Sequence, residues 1–433
     1  PRFHVRDVAV MRARLLGIPV VMGSATPSVE TWYASDETQS GAHRGDEHPG
    51  READAYEDPF DNDHAAYRRV VMRRRVMDLP LPTVHVIDMR DEYRDLKRSV
   101  VLSRTLQRLL GETLERGEQA IILMNRRGWA RWLFCPQCRA RTECPNCRTS
   151  LVVHAADRRA LCHYCRHSIA VPTHCQDVTC GTRLVEGGVG TERVEDVLAA
   201  CFPAARVERV DSDTMRHRRD YQRVMDDFTA GNIDVLVGTQ MIAKGLDFPD
   251  VSCVGVIDAD PGAGAADFRA GERLFQLVTQ VAGRAGRADA TGCVVVQTTN
   301  PEATALQYAI HHDFERFAAA ELASRRRIGL PPYRRLARVL VTHTREETTR
   351  HDADRLADNV RDGARHLKLT DADVLGPSPC PLLRLRGRYR YDLLLRTRTY
   401  TDLRIWIHHL NRQSALRPRA ATATLDVDPV SLT

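Results

Sequence analysis

The sequence predicts an α/β protein: a doubly wound parallel sheet carrying a cysteine-rich insertion, followed by a smaller ferredoxin-like α+β domain. Three observations predict it. Short apolar runs alternate with helix-like stretches between residues 120 and 299, the pattern of parallel strands buried on both faces and joined by helices. Eight of the twelve cysteines fall between Cys135 and Cys180. From about Tyr333 the elements run β-α-β-β-α-β, the order of a ferredoxin-like domain.

Taken in order, "IPVVMGS" is an apolar strand near the N-terminus. Ser35 to His64 follows with ten acidic residues against two arginines and few large apolar groups. That composition cannot bury a core and reads as a surface loop. Ala120–Asn125, Arg206–Asp211, Ile233–Thr239, Val251–Asp258 and Cys293–Thr299 are the sheet strands. Thr191–Cys201 (closed by Pro203), Arg218–Thr229 (before Gly231) and Glu272–Ala285 are helices. Ligands of such sheets bind beyond the carboxyl ends of the strands. The chemistry is therefore expected after Asn125, Thr239 and Asp258.

Downstream, "ARVLVTH" is a strand, Glu346 to Leu367 a charged helix, and two strands flank Gly387. Thr401–Asn411 is a helix and "ATLDVDP" the last strand. The central hairpin alternates Arg384, Arg386, Arg388 and Arg390 with Leu385, Tyr389 and Tyr391. It is either a solvated sheet face or a nucleic-acid contact.

The 433 residues suffice for two to four domains. Hydrophobic content of 43% and charged content of 28% are those of a globular protein. The net charge of +6, carried largely by arginine, mildly favours a polyanionic partner. No apolar run is long enough for a membrane span and no signal peptide is present, so a cytoplasmic protein is expected. The chain opens on Pro1 and reads as part of something longer.

The clustered cysteines form the pairs Cys135–Cys138, Cys144–Cys147, Cys162–Cys165 and Cys175–Cys180. Three pairs have the two-residue gap that aims both sulfurs at one metal, and the fourth a four-residue gap. A disulfide framework is the alternative, but without a secretion signal the pattern favours zinc. Fourteen residues separate Cys147 from Cys162, close to a zinc-ribbon spacing. One site is then Cys144, Cys147, Cys162 and Cys165, and a second Cys135, Cys138, Cys175 and Cys180. Sequential pairing stays open, as does replacement of a sulfur by His154, His163, His167 or His174, most readily of Cys180. All-cysteine sites are closed, so two structural Zn²⁺ ions are expected. The other four cysteines, Cys201, Cys253, Cys293 and Cys380, read as small apolar residues.

"GSATPS" (Gly23–Ser28), "GTQMIAKGLDFPDV" (Gly238–Val251) and "QVAGRAGR" (Gln280–Arg287) are each weak alone and specific in this order. They resemble the third, fifth and sixth motifs of superfamily 2 helicases. With "PRFHVRD", "NRRGWA", the cysteine insertion, "LPPY" and the terminal "LDVDP" the chain resembles the PriA family of bacterial primosomal replication-restart helicases. The likeness covers nearly all of it except the acidic loop. The pair "CQDVTC" departs from the family's two-residue gap, which leaves Cys180 the least secure ligand.

The resemblance implies a RecA-like second helicase lobe and the following boundaries. Residues 1–34 are the tail of the first lobe and 35–80 an acidic loop and linker. Residues 81–134 start the second lobe, 135–180 are the zinc insertion, 181–325 the rest of that lobe and 326–433 the C-terminal domain. It implies an ATP-dependent 3'-5' DNA helicase that recognises branched DNA at stalled forks and initiates primosome assembly. ATP and Mg²⁺ are its cofactors. Branched and single-stranded DNA, single-stranded DNA-binding protein and other primosome proteins are its partners, with no membrane.

By the same resemblance Arg284, Arg287 and Gln280 are catalytic, the arginines closing on the γ-phosphate from one helix face. Gly245, Asp247, Ser24 and Thr26 serve the nucleotide, Asp247 at the ribose. Ser24 and Thr26 relay its state between lobes, although a plain turn would also explain them. Thr239, Gln240, Lys244, Arg126 and Arg127 meet the DNA backbone. Gly188–Glu192 offers a helix start to a phosphate or a simple N-cap at Thr191. No glycine-rich lysine loop occurs in the 433 residues, so this portion alone is expected to lack ATPase activity. The alternative is a zinc-stabilised DNA- or protein-binding module derived from a helicase.

Overall fold

The computed structural model describes residues 4–35, 68–72, 82–124, 132–138, 140, 142–145, 151–154, 159–162, 167–177, 179–187, 191–210, 215, 218–239, 242, 250–260, 267–283, 292–429 and 431–432. A six-stranded sheet forms its centre. Its spatial order is Thr83–Asp88, Cys293–Thr298, Val251–Ile257, Gln119–Met124, Val235–Thr239, Val207–Val210. Every neighbouring pair is parallel.

The uniformly apolar runs occupy the middle of this sheet, where Gln119–Met124, Val235–Thr239 and Val251–Ile257 are buried throughout. Burial on both faces removes any need for alternation. On one face Arg104–Glu115 and Thr191–Cys201 pack Leu106, Leu110, Val194 and Leu198 against Ile122, Val237 and Val295. On the other, Arg218–Thr229, Ala270–Ala282, Thr304–Ile310 and Phe314–Ile328 bring Phe228, Phe275, Leu306 and Phe317 to Leu123, Leu236 and Val254. Gly255 is needed for this closeness. A Cβ there would lie 2.8 Å from Ile122 Cδ1 and 3.1 Å from Leu106 Cδ1.

Several sequence expectations are corrected. The edge strand Thr83–Asp88 and the helices Met89–Leu96 and Arg104–Glu115 are not among the elements read from the sequence and precede Ala120–Asn125, the first of its sheet strands. Thr83–Asp88 is only half-buried and mixes His85 and Asp88 with valines, so it lacks the apolar signature of a central strand. The run "IPVVMGS" forms no strand. No described strand lies beside it to complete a hydrogen-bonded ladder, and Val21 is 96% exposed. It follows the helix Val5–Leu16, which ends at Gly17 in the left-handed conformation. The helix expected to reach Ala285 is Ala270–Ala282, with Gly283 as its C-cap.

The last hundred residues form a four-stranded antiparallel sheet in the order Asp373–Leu385, Arg388–Thr397, Arg335–His343, Thr422–Val427. With the helices Glu346–His366 and Tyr400–Arg412 the chain order is β-α-β-β-α-β. Both helices cover one face. Trp406 is fully buried between them and its Nε1–H donates to Val360 O at 3.1 Å. The central hairpin turns through Arg386 and Gly387, both at positive φ (50° and 77°), the two-residue turn that matches strand twist. Among the described residues no helix is long and apolar enough to cross a membrane.

Candidate functional site: strand ends, a buried ion network and a thiol cluster

The carboxyl ends of Gln119–Met124, Val235–Thr239 and Val251–Ile257 lie side by side and open onto the segments that carry the sequence motifs. Thr239 is buried at the end of its strand. The bare Cα of Gly238 is enforced from within, since a Cβ would meet Ile242 Cδ1 and the Val210 carbonyl oxygen at 2.5 Å. Asp260, which sequence reasoning missed, ties two strand ends together. Its Oδ1 accepts from Thr298 Oγ1 (2.9 Å), Thr299 N (3.1 Å) and Thr299 Oγ1 (3.1 Å). Gln280 sits half-buried in the last turn of Ala270–Ala282. Arg284, Arg287, Gln240, Lys244, Gly245, Asp247, Arg126 and Arg127 lie outside the described residues, as do residues 36–67 and Gly188–Gly190.

The Thr26 carbonyl reaches the helix Ala270–Ala282, whereas Ser24 bonds only within its own turn. Thr26 N donates to Ser24 Oγ at 3.1 Å, closing the turn locally. Gln276 Nε2 then donates to the Thr26 carbonyl at 3.4 Å. The turn and the helix leading to Gln280 are thus in contact. Ser28 caps the next helix, Val29–Ala34, by accepting from Thr31 N. Val29 inserts into the sheet's core cluster and its N–H donates to Glu272 Oε1 at 3.2 Å.

An ion network closes this joint. Arg325, on Phe314–Ile328, donates to Glu272 Oε2 (2.7 Å), Glu321 Oε1 (2.8 Å) and Glu30 Oε1 (3.0 Å). Arg269 adds a second bond to Glu30 at 2.8 Å and another to the Pro429 carbonyl at 2.9 Å. Asp267 accepts from Arg273 and from Leu432 N. Burial alone would weaken the proton affinity of Arg325, but Glu30, Glu321 and Glu272 outweigh it and hold the guanidinium charged. Burial also raises Glu30, yet Arg269 and Arg325 bring it below the ordinary carboxylate range. For Glu272, burial and repulsion from Glu30 win and its pKa is raised.

Sequence reasoning did not single out these residues. Arg325 belongs to "SRRRIG", a run that looks like a solvated basic patch, and only packing decides which arginine turns inward. Glu272, an acid within an otherwise apolar helix face, was the available signal.

The cysteine insertion forms a separate centre. Cys135, Cys138, Cys175 and Cys180 bring their sulfurs within 4.8 Å of one another, with Cys135–Cys180 at 3.6 Å and Cys138–Cys175 at 3.3 Å. Tetrahedral zinc with Zn–S of about 2.3 Å separates its sulfurs by about 3.8 Å, so this donor set fits. Cys180, despite its wider gap, is inside the cluster. Thr182 hydrogen bonds lower its thiol to about 6, the direction a metal ligand needs. The backbone at Ala140 favours the Cys138 thiolate, but burial and the neighbouring Cys175, Cys135 and Cys180 thiols push it up to about 12. Four thiols share one site and cannot all ionise unaided. Cys144 and Cys162 are buried together in a second small cluster with Leu151 and Ala160. Cys147 and Cys165 lie outside the described residues.

Residues 177–289 match the family model of the helicase conserved C-terminal domain. With the parallel sheet, this defines the chain's central part as the RecA-like C-terminal lobe of a helicase. Residues 326–430 match the model of the primosomal protein N C-terminal domain. The chain is 37% identical over 93% of its length to the replication restart protein PriA of Bacillus subtilis, covering 46% of that protein. It is 35% identical over its whole length to that of Synechocystis, covering 49%, and 38% identical to that of Treponema pallidum, covering 60%. The chain belongs to the PriA family of replication restart proteins and matches its C-terminal portion. It spans about half the length of the curated relatives it matches. Among solved structures it is similar to Saccharomyces cerevisiae Dbp5 bound to RNA and ADP BeF3. That likeness is loose: 15% identity, covering 57% of this chain and 45% of that one, at a TM-score of 0.27.

Proposed function

We propose that the chain is the C-terminal portion of an ATP-dependent 3'-5' DNA helicase that recognises branched DNA at stalled forks and initiates primosome assembly. The observation that carries this reading is the contact between the Ser24–Thr26 turn and the helix Ala270–Ala282, through Gln276 and the Thr26 carbonyl. It joins the motif of one lobe to the helix that leads to the arginine pair of the other. Arg284 and Arg287 then neutralise the γ-phosphate of ATP held by a first lobe, with Gln280 beside them, and Gly245 and Asp247 meet the nucleotide. Mg²⁺ bound with ATP would neutralise charge on its phosphates, while this chain's residues would orient the nucleotide and stabilise the charge that develops.

Thr239, Gln240, Lys244, Arg126 and Arg127 face the DNA backbone in this reading, on the side where parallel-sheet ligands bind. Two structural Zn²⁺ ions hold the insertion, one on Cys135, Cys138, Cys175 and Cys180, the other on Cys144, Cys147, Cys162 and Cys165. In the same reading the domain boundaries are those that the resemblance implies, and the C-terminal domain is ferredoxin-like. Single-stranded DNA-binding protein and other primosome proteins are its partners.

Fluorescence anisotropy with forked, single-stranded and duplex DNA tests the reading. Binding should show little sequence preference and weaken by at least an order of magnitude between about 50 and 200 mM salt, because interactions with phosphate dominate such affinity. Affinity that is unchanged across that range, or no binding at the low end, would overturn it.

A further inference from the structure

Cys253, near the start of Val251–Ile257, and Cys293, the first residue of Cys293–Thr298, lie on adjacent parallel strands and are direct register partners. Both side chains enter the apolar cluster beneath Arg104–Glu115, so they lie on the same face of the sheet. Neighbouring strands run ~4.8 Å apart, inside the Cα separation of ~4.4–6.8 Å that a disulfide spans. Both are free thiols, and each shifts the other's proton affinity. Neither belongs to the metal cluster, and neither has a role at the strand ends.

We propose that Cys253 and Cys293 are a hydroperoxide-sensitive dithiol, Cys293 the sulfur oxidised first and Cys253 the sulfur that resolves it into a disulfide. The two environments divide the roles. Cys253 is fully buried, whereas Cys293 is only partly so. The hydrogen bond from Cys253, helped by the Arg116 guanidinium, holds the Cys293 thiol below its ordinary range against the opposing effects of burial and Glu112. The same hydrogen bond and burial push Cys253 up, so it keeps its proton. A partly exposed thiol of lowered pKa beside a fully buried one is the arrangement of a reacting and a resolving cysteine.

The chemistry balances. The Cys293 thiolate attacks one oxygen of the hydroperoxide, an S–O bond forms, the O–O bond breaks, and the leaving oxygen departs with a proton as water or an alcohol. Cys293 is then a sulfenic acid. The Cys253 sulfur attacks it, the S–S bond forms and the S–O bond breaks. The hydroxyl leaves with the Cys253 proton as water. Two electrons pass from the thiols to the peroxide.

The test uses the zinc-loaded chain treated with equimolar hydrogen peroxide, blocked with iodoacetamide and digested without reduction. A peptide pair joined through Cys253 and Cys293 is expected, and dithiothreitol should release it. In Cys253→Ala the Cys293 sulfenic acid should persist and be trapped by dimedone. In Cys293→Ala, Cys253 should stay reduced. Cys293 that remains alkylatable at that dose, passes to sulfinic acid without joining Cys253, or joins a cysteine of the metal cluster instead would overturn the proposal. The wild-type peptide map decides this even if a variant fails to fold.

Discussion

Arg325 Nη2 lies 2.7 Å from Glu272 Oε2, and the two side chains are 2% and 4% exposed. One residue sits on the helix that leads into the C-terminal domain, the other on the helix that leads to Gln280. Through Glu30 the pair also holds the segment that follows the Ser24–Thr26 turn. A single guanidinium thus fastens three parts of the chain.

Removing that guanidinium leaves Glu272 buried without its ion-pair partner and Glu30 with Arg269 alone. Arg325→Met should therefore destabilise the protein by about 3–5 kcal/mol, measured by urea unfolding. Glu321→Gln should cost far less, because Arg325 keeps Glu272 and Glu30 as partners. A change below about 0.5 kcal/mol for Arg325→Met, the scale of an ordinary surface substitution, would show the joint to be energetically idle.

Elemental analysis of the purified chain should return two zinc ions. Closed thiolate sites couple metal to folding, so chelation should also broaden the unfolding transition of the second lobe. Cys175→Ser should lower the content to one ion, since Cys175 lies within the four-sulfur cluster. One ion or none in the wild type would reject the two-site assignment.

The arginine pair is tested in a protein that joins this chain to a first helicase lobe. There, Arg287→Ala should cut ATP turnover by about 10³-fold or more, the scale of an arginine finger, with much smaller changes in ATP and DNA affinity. The 433-residue chain alone should show no ATPase activity. Near-normal turnover with both Arg284 and Arg287 changed to alanine would make the pair structural.

At the hairpin tip Arg384 and Arg386 are exposed, and the Arg384 guanidinium stands 5.4 Å from the Tyr389 ring centroid. If the tip lies on a DNA backbone, Arg384→Ala with Arg386→Ala should weaken binding evenly across sequences. The salt slope should become shallower by about 1 for each arginine that had neutralised a phosphate. An unchanged slope would assign the tip to solvent.

Asp234 supplies a pH dependence. Its carboxylate accepts from Arg206 Nε at 3.0 Å and Arg206 N at 2.7 Å, and these bonds hold it below its ordinary value of 3.8 against the effect of burial. A depressed acid contributes stability that is complete above its unfolded pKa and is lost as pH falls through the folded one. Between about pH 5 and 3 the urea midpoint of the wild type should fall more steeply than that of Asp234→Asn. Parallel curves would remove Asp234 from the acid response.

The central strands were legible because burial on both faces leaves an uninterrupted apolar run, as in Val251–Ile257. The cysteines were legible for a different reason: metal ligation demands fixed local spacings. Cys180 was the exception, and the cluster admits it because the Asp177–Gly181 turn folds the longer gap back. Cys180 N and Gly181 N both donate to Asp177 O.

Long-range partners were not written locally. The apolar pattern of "IPVVMGS" marked β propensity, but a strand exists only with a neighbour to share its hydrogen bonds. The sequence by itself determined which segments are the central strands and which cysteines could serve as metal ligands, since each rests on the chemistry of adjacent residues. Only the tertiary structure decided that Arg325 would turn inward between Glu272 and Glu30, and that Cys253 would stand opposite Cys293. Those choices depend on which distant segments pack together, and a buried charge is retained only where such packing brings it a partner.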